Sequence, residues 1–184
     1  AAMHAINQNK FGKTFFHLGP PRDTSLFEKQ KDNKTEIEKC DFILCTGLFD
    51  DHEDDLNYYK KILEKQISKK LVCTNPDLTV HRGNIEELCA GSLAKVFEDL
   101  GGEVIYYGKP YKEIYSNCFN EHEKVLAIGD NLRTDIKGAN NLNIDSIFIT
   151  EGVHRQEIKG RSKPDALLAK YKVKTNFFQK ELTW

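Results

Sequence analysis

The sequence predicts an α/β fold built on a parallel sheet, and three observations favour it. Short apolar runs alternate with segments in which apolar residues recur at helical spacing, which is the pattern of repeated strand and helix units. The 184 residues, 39% of them hydrophobic, are enough to bury a core. The longest apolar runs stay far below the roughly 18 residues that a membrane helix needs, so no transmembrane segment is expected.

The first predicted unit consists of two strands and the helix between them. Residues 41–46 and 71–74 are short apolar runs and are predicted as strands. The acidic stretch 50–55 separates the first strand from a helix, which is predicted because its apolar residues recur at helical spacing. These residues are Leu56, Tyr59, Ile62, Leu63 and Ile67.

The same alternation continues along the chain. A helix is predicted over 91–100, ending at Gly101 and Gly102, where a left-handed cap is sterically free. A domain boundary is expected near 101–108, where paired glycines precede a new series of elements. The charged run 28–39 is interpreted as a solvated helix or linker. The remaining predicted elements are a strand at 104–107, a helix at 114–119, a strand at 125–128, a helix at 134–141 and a strand at 146–150.

The composition excludes several classes of partner. The formal charge is −1 and the pI is about 6.7, so nothing favours binding to nucleic acid or to an anionic membrane. Residues 1–13 lack the apolar core of a signal peptide, and a cytoplasmic location is expected. The five cysteines are odd in number and widely spread, so we expect them to be reduced and mostly buried.

Polar side chains follow three predicted strands at the point where each strand ends. Lys109 follows the third strand, Asp130 and Asp135 follow the fourth, and the segment 151–154 follows the last. In open parallel sheets, ligands bind beyond the carboxyl ends of the strands. We therefore expect these groups to meet at one edge of the sheet, with Thr134 capping the helix that follows the fourth strand.

This set of residues suits a phosphate group held with a magnesium ion. Carboxylate oxygens are the ligands that Mg²⁺ prefers, and a lysine adds a fixed positive charge for a phosphoryl group. Taken singly, Asp135 is equally well read as a helix N-terminal carboxylate, and Lys109 as a solvated surface lysine. The spacing of Gly102, Gly108 and Lys109, with Pro110 next, does not form a P-loop.

Three segments carry a family resemblance. CTNPD at 73–77, GKP at 108–110 and GDNLRTD at 129–135 resemble, in this order, the haloacid dehalogenase (HAD) superfamily of hydrolases, subfamily IIA, the NagD-like phosphatase group. The similarity extends over most of the chain. It includes the segments 16–19, 89–91, 100–102 and 182–184, the last of which leads us to expect an intact carboxyl terminus.

The resemblance implies a three-layer, Rossmann-like parallel sheet, incomplete here, with an α/β cap domain. It implies an N-terminal segment at 1–14, the cap at 15–106 and the C-terminal part of the core at 107–184. Lys109 matches the family motif that steadies the nucleophile and the phosphoryl group. Asp130 and Asp135 match the motif that binds Mg²⁺. Asn75, Pro76 and Asp77 match a stretch of the cap that contributes to substrate selection.

One family feature does not occur in this sequence. Family members open with two aspartates one residue apart, the first a nucleophile and the second an acid and base. No Asp-x-Asp is present, and the acidic stretch 50–55 is better interpreted as a loop in which Asp54 or Asp55 caps the next helix. Met3, the only methionine, is a candidate start of the encoded segment.

The resemblance implies a Mg²⁺-dependent phosphatase of small phosphorylated metabolites, and without the nucleophile we expect this chain to be inactive by itself. The alternative is a non-catalytic remnant or a subunit that binds phosphate or assembles with a partner. A core that lacks its central strand would expose backbone edges and apolar surface. A homodimer is therefore a further expectation.

Overall fold

The computed structural model describes residues 2–82, 85–115, 118–120, 122–160 and 163–183. The chain divides into two compact units, Ala1–Gly108 and Lys109–Trp184. Within the described ranges, no helix is long and apolar enough to cross a membrane. The assignment of these units as cap and core remains a prediction.

The first unit contains a four-stranded parallel sheet in the order β1-β2-β3-β6. The strands are β1 (Phe15–Leu18), β2 (Phe42–Cys45), β3 (Lys70–Cys73) and β6 (Glu103–Tyr106). Helices α1 (Ala2–Asn7), α2 (Leu56–Leu63) and α3 (Ala90–Asp99) accompany it, and β4 (Thr79–Arg82) and β5 (Ile85–Leu88) pair as an antiparallel hairpin.

Both faces of this sheet are buried, because successive side chains of a strand point to opposite faces. In β2, Phe42 and Leu44 join one apolar cluster, which includes residues of α1. Ile43 and Cys45 join the other, which includes residues of α2 and α3. All four side chains are fully buried. A strand covered on both faces reads as a continuous apolar run, which is why the sequence predicts β2 and β3.

The connections of the first unit follow local side-chain chemistry. Asp55 caps α2 by accepting a hydrogen bond from the Tyr58 backbone N–H at 3.1 Å, which confirms the predicted cap. The helix α3 ends before Gly101, whose φ of +91° is the left-handed conformation that glycine favours. The run 28–39, predicted as a solvated helix or linker, overlaps 3₁₀ turns over Pro21–Asn33, in which Phe27, just before the run, is buried.

The second unit contains a three-stranded parallel sheet in the order β7-β8-β9. The strands are β7 (Leu126–Gly129), β8 (Asp145–Ile149) and β9 (Phe177–Gln179). A π-helical turn over Leu132–Ile136 leads into α5 (Lys137–Leu142), and the other helices are α4 (Lys112–Tyr115), α6 (Arg155–Ile158) and α7 (Asp165–Tyr171). The core of this unit comprises Leu132, Ile136, Phe148, Leu167 and Val173.

The five predicted strands are present, each within one residue of its predicted bounds. Two local predictions are wrong. The helix predicted at 114–119 is instead α4, which begins at Lys112 and ends at Tyr115, while residues 116 and 117 lie outside the described residues. Thr134 is not a cap, because it lies inside the π-helical turn, and Asn131 accepts the capping hydrogen bond from the Arg133 N–H.

Candidate active site

The candidate site begins where β7 ends at Gly129. The chain turns there, and Asn131 Oδ1 accepts a hydrogen bond from the Arg133 N–H at 2.9 Å. Asp135 folds back toward the strand, so that its Oδ2 accepts a hydrogen bond from the Asn131 N–H at 3.1 Å. The turn therefore returns the Asp135 carboxylate to the carboxyl end of β7.

Lys109 and Asp135 form an ion pair. Lys109 Nζ lies 2.5 Å from Asp135 Oδ1. The Asp135 side chain is only 11% exposed, whereas that of Lys109 is 49% exposed. The sequence predicted that Lys109 and Asp135 meet at one edge of a single sheet. The two side chains are in direct contact, but the prediction of one sheet is wrong, because β6, the strand before Lys109, belongs to the sheet of the first unit and β7 to that of the second.

Asp130 reaches the neighbouring strand end. Its Oδ2 accepts a hydrogen bond from the Val153 N–H at 2.9 Å, and Val153 lies in the segment that follows β8. Its other oxygen forms no hydrogen bond within the described part of the chain. Both aspartates therefore follow β7, and Asp130 joins its carboxyl end to the segment after the adjacent strand, β8.

Two glycines leave room for these carboxylates. A Cβ at Gly129 would overlap the carboxylate group of Asp135, and a Cβ at Gly152 would overlap that of Asp130. Both overlaps are closer than non-bonded atoms approach. A side chain at Gly129 or Gly152 would displace one of the two carboxylates, so both positions require glycine.

A buried network supports the turn, and sequence reasoning missed it. The Leu132 N–H donates to His154 Nε2 at 3.2 Å, and His154 Nδ1 lies 2.7 Å from Glu157 Oε1. Since Nε2 accepts, Nδ1 carries the proton and donates to Glu157. Glu157 also accepts from Lys170 Nζ at 2.5 Å and from the Tyr171 hydroxyl at 2.9 Å.

The charge of Glu157 is strongly favoured in this network. The hydrogen bond from Lys170 is the largest cause and lowers the pKa of Glu157 from 4.5 to about 2. His154 follows a strand within the polar segment 151–154 noted in the sequence. Glu157 lies three residues along the chain from His154, a local spacing, whereas Leu132 and Tyr171 are distant in sequence.

Tyr115 and Thr134 are further polar groups of this unit. Burial raises the pKa of Tyr115, and the Asp135 charge contributes to the rise. Its hydroxyl lies against Gly138, where a Cβ would overlap it. Thr134 Oγ1 is buried, and it has no hydrogen-bond partner within the described residues.

The carboxylates of Asp130 and Asp135 are candidate ligands for a magnesium ion. Mg²⁺ is commonly held by one or two carboxylates, several waters and the phosphate of a substrate. Asp130 and Asp135 supply such carboxylates, and one oxygen of Asp130 is available. Among the described residues, no cluster of three His, Cys, Asp or Glu side chains is placed to enclose a metal. The residues therefore fit an open two-carboxylate site rather than a closed protein cage.

The predicted substrate-binding residues belong to the first unit. Asn75 Oδ1 accepts a hydrogen bond from the Asp77 N–H at 3.1 Å, a turn that begins just after β3. A Cβ at Gly91 would overlap the backbone carbonyls of Pro76 and Asp77. The start of α3 and this turn are consequently packed backbone against backbone.

A cleft of about 750 Å³ lies beside this turn. Asn75 and Asp77 line it, and Pro76 does not. Its lining is strongly acidic, with Arg22 as the one cation among the lining side chains, where it pairs with Asp50. The lining carboxylates are Asp23, Asp50, Asp51, Glu53, Asp54, Asp77, Glu86 and Glu87.

Comparisons with known proteins agree with this architecture. Residues 106–172 match the family model described as HAD-hydrolase-like. A stretch of 88 residues, 46% of this chain, is 30% identical to the ribonucleotide monophosphatase NagD of Escherichia coli K12. That alignment covers 34% of NagD, so the match spans about a third of the curated relative.

Solved structures show the same fold over nearly the whole chain. A haloacid dehalogenase-like hydrolase from Brucella suis 1330 superposes with a TM-score of 0.82 at 26% identity, covering 99% of this chain and 70% of that one. A p-nitrophenyl phosphatase from Archaeoglobus fulgidus gives 0.70 at 14% identity, covering 97% of this chain and 67% of that chain.

The parallel α/β fold, the family model over residues 106–172 and these relatives show that the chain is similar to the haloacid dehalogenase superfamily of hydrolases. The similarity to NagD in sequence and in structure supports the resemblance to subfamily IIA, the group that contains NagD.

Proposed function

We propose that this chain supplies the metal-binding and substrate-selecting parts of a Mg²⁺-dependent, cytoplasmic phosphatase of small phosphomonoesters. The observation that carries the proposal is the contact between Lys109 and Asp135 at the end of β7, with Asp130 in the same turn and bonded to the segment after β8. The phosphatases among the structural relatives support the reaction type.

Each residue of the site has a distinct role in this proposal. The Lys109 ammonium faces the oxygens of the phosphoryl group and offsets the charge that develops during transfer. Asp130 and Asp135 would hold Mg²⁺, which would supply further positive charge at the same group. The His154 network holds the Leu132 backbone, and this fixes the turn that carries both aspartates.

The chain by itself lacks a nucleophile of the family type. No Asp-x-Asp occurs in its sequence, so the covalent aspartyl-phosphate step has no route through the residues present. We therefore expect binding of metal and phosphate without turnover. Loss of a nucleophile removes several orders of magnitude in rate.

Asn75 and Asp77 are proposed to contact the leaving group of the substrate, the portion other than the phosphoryl group. The acidic lining of their cleft repels a phosphate dianion, because like charges in a shared site disfavour each other. A portion rich in hydroxyl or ammonium donors suits this lining. Pro76, which does not line the cleft, would help to shape the turn that holds Asn75 and Asp77.

Calorimetric titration of the chain with Mg²⁺ and inorganic phosphate tests the proposal. We expect phosphate binding that requires Mg²⁺ and that is lost in both Asp130→Asn and Asp135→Asn. Asp165→Asn, which changes an exposed carboxylate in the first turn of α7, serves as the matched control. Unchanged binding in the first two variants would contradict the site.

Hydrolysis of p-nitrophenyl phosphate tests the expected inactivity. No turnover is expected at any protein concentration with Mg²⁺. Turnover that disappears in Asp130→Asn would show that the chain is an active phosphatase, and the proposed inactivity would then be wrong.

A second candidate function, assembly with another copy of the chain, is favoured by β7. Within the described residues, β7 pairs with β8 on one edge and with no strand on the other. Its Leu126 and Ile128 side chains are 46% and 38% exposed. An unpaired edge beside exposed apolar side chains favours pairing with a second edge.

Light scattering over a range of protein concentrations tests this second candidate. A dimer is expected, and Ile128→Ser should shift it toward monomer. A monomer at all concentrations would contradict assembly while leaving the phosphate-binding proposal intact.

A further inference from the structure

The second unit carries a cavity of about 540 Å³ at the carboxyl ends of β8 and β9. Thr150 and Glu151, which follow β8, form one side of it, and Phe178 and Lys180 of the β9 segment form another. This volume lies within the range of small-molecule sites. Lys109, Asp130 and Asp135 are not among the lining residues.

The cavity is strongly basic. Arg155, Lys159, Lys163 and Lys180 line it, and Glu151 is its one lining carboxylate. Arg155 begins α6, and Lys159 follows four residues later, a spacing that places both on one side of the helical turn. Three separate segments of the unit thus direct positive charge to one concave surface.

These four cations have no partner within the described ranges that neutralises them. Their side chains form no ion pair or hydrogen bond with any residue that the structure describes. In contrast, Lys170 pairs with Glu157 at 2.5 Å and Lys95 pairs with Asp99 at 2.5 Å. Unpaired like charges around one cavity repel each other, and a bound polyanion would remove that repulsion.

An aromatic ring adjoins the charged groups. Phe178 lines the cavity, and it is 44% exposed although it is a large apolar side chain. Its neighbour Phe177 points to the opposite face of the sheet, because side chains alternate along a strand. An exposed ring beside cations offers a stacking surface for a planar heterocycle.

From this combination we propose that the cavity binds a nucleoside diphosphate. The two phosphates would lie against Arg155, Lys159, Lys163 and Lys180, and the base would stack on Phe178. This binding site goes beyond the proposed phosphatase function, because it uses none of the residues of that site. The four cations would balance the charge of the phosphates, and Glu151 is the one carboxylate among the described lining residues.

Calorimetric titration of the full chain with ADP in the presence of EDTA tests the proposal. We expect ADP to bind more tightly than pyrophosphate, and adenosine to bind weakly, with affinity falling as salt rises. Lys159→Ala and Lys180→Ala should each weaken ADP binding about 5-fold to 10-fold. Lys137→Ala, which changes an exposed lysine outside the cavity, should leave it unchanged.

The aromatic contact has its own matched pair of variants. Phe178→Leu should weaken ADP binding about 5-fold or more and leave pyrophosphate binding unchanged, whereas Phe177→Leu should affect neither. Equal losses in Phe178→Leu and Phe177→Leu, or in Lys159→Ala and Lys137→Ala, would overturn the site.

Lys109→Ala separates this cavity from the proposed phosphatase site. ADP binding that survives Lys109→Ala but falls in Lys180→Ala supports the cavity. Binding lost in Lys109→Ala and retained in the cavity variants would overturn the inference, because the anion would then occupy the strand ends near Asp135. Absence of ADP binding at millimolar concentration would also overturn it, whatever the outcome of the phosphate and Mg²⁺ titrations.

Discussion

The sheets of the two units are covered to different extents. In the first unit, helices and turns bury both faces, and Phe42 and Ile43 on opposite faces of β2 are fully buried. In the second unit, the described core lies on one face, around Phe148. Ile128 and Phe177 on the other face are 38% and 60% exposed.

The better-packed sheet and the candidate site therefore belong to different units. The first unit satisfies the packing demand of a parallel sheet with its own residues, whereas the second unit carries the candidate site on a sheet that is open at β7. A parallel sheet with an apolar open face gains stability when another element covers it. We therefore expect substitutions in the two units to differ most where their burial differs most.

The largest expected effect is that of Phe42→Ala. Phe42 is fully buried and its ring contacts Phe11 and Phe15 with centroids 5.7 and 5.8 Å apart. Removing a buried aromatic side chain costs about 3–5 kcal/mol in the free energy of unfolding. Urea denaturation followed by circular dichroism measures this cost.

Phe177→Ala is the matched comparison in the second unit. Because its side chain is largely exposed, we expect a change within about 0.5 kcal/mol. A loss of several kcal/mol in Phe177→Ala would show that the open face is covered in solution, and the contrast between the two sheets would then be wrong.

The second largest effect is expected at Glu157. Glu157→Gln removes the charge that binds Lys170 and orients His154, and it should cost about 1–2 kcal/mol, discounted because the Lys170 end is exposed. Because the pKa of Glu157 is lowered in the folded state, its contribution to stability decreases as the pH falls. The contribution is complete above about pH 4.5 and is lost as the pH falls toward the folded pKa of about 2.

Hydrogen exchange read at β7 and β8 localises this effect to the second unit. We expect faster exchange there in Glu157→Gln and in the wild-type protein below pH 4.5, with β2 and β3 little changed. Glu181→Gln, which changes an exposed carboxylate of the same unit, provides the control. Equal exchange at β7 in the two variants would contradict the network.

Most strands with continuous apolar runs could be predicted from the sequence, but β1 was missed because His17 interrupts its run. β2 and β3 are predicted because both faces of each are buried. The hairpin of β4 and β5 was missed because Ile85 and Glu86 are exposed, Glu87 and Leu88 are half-buried, and the residues give no alternation. β9 was missed because it has three residues and its aromatic side chains are mostly exposed.

Some residues of the candidate site could likewise be predicted from the sequence, and others could not. Asp130 and the segment 151–154 could be proposed because β7 and β8 are parallel neighbours, whose carboxyl ends lie together. Lys109 was proposed on the same ground although its preceding strand, β6, belongs to the other sheet. His154 and Glu157 could not, because their role depends on a contact with Leu132, 22 residues away in the chain. Thr134 was misassigned because a π-helical turn occupies the first residues of the predicted helix.

The smallest expected effect comes from comparing one ion pair in each unit. Lys109–Asp135 and Lys95–Asp99 both have N–O distances of 2.5 Å. Asp99 is 64% exposed, so Lys95→Ala should cost about 0.3–0.5 kcal/mol. Asp135 is 11% exposed, so Lys109→Ala leaves a less hydrated carboxylate unpaired and should cost more, up to about 1 kcal/mol. Thermal unfolding of the two variants measures the difference.

Since Mg²⁺ would occupy the same carboxylate, added Mg²⁺ should reduce the loss in Lys109→Ala and leave that in Lys95→Ala unchanged. Equal losses with no response to Mg²⁺ would show that Asp135 is an ordinary surface partner.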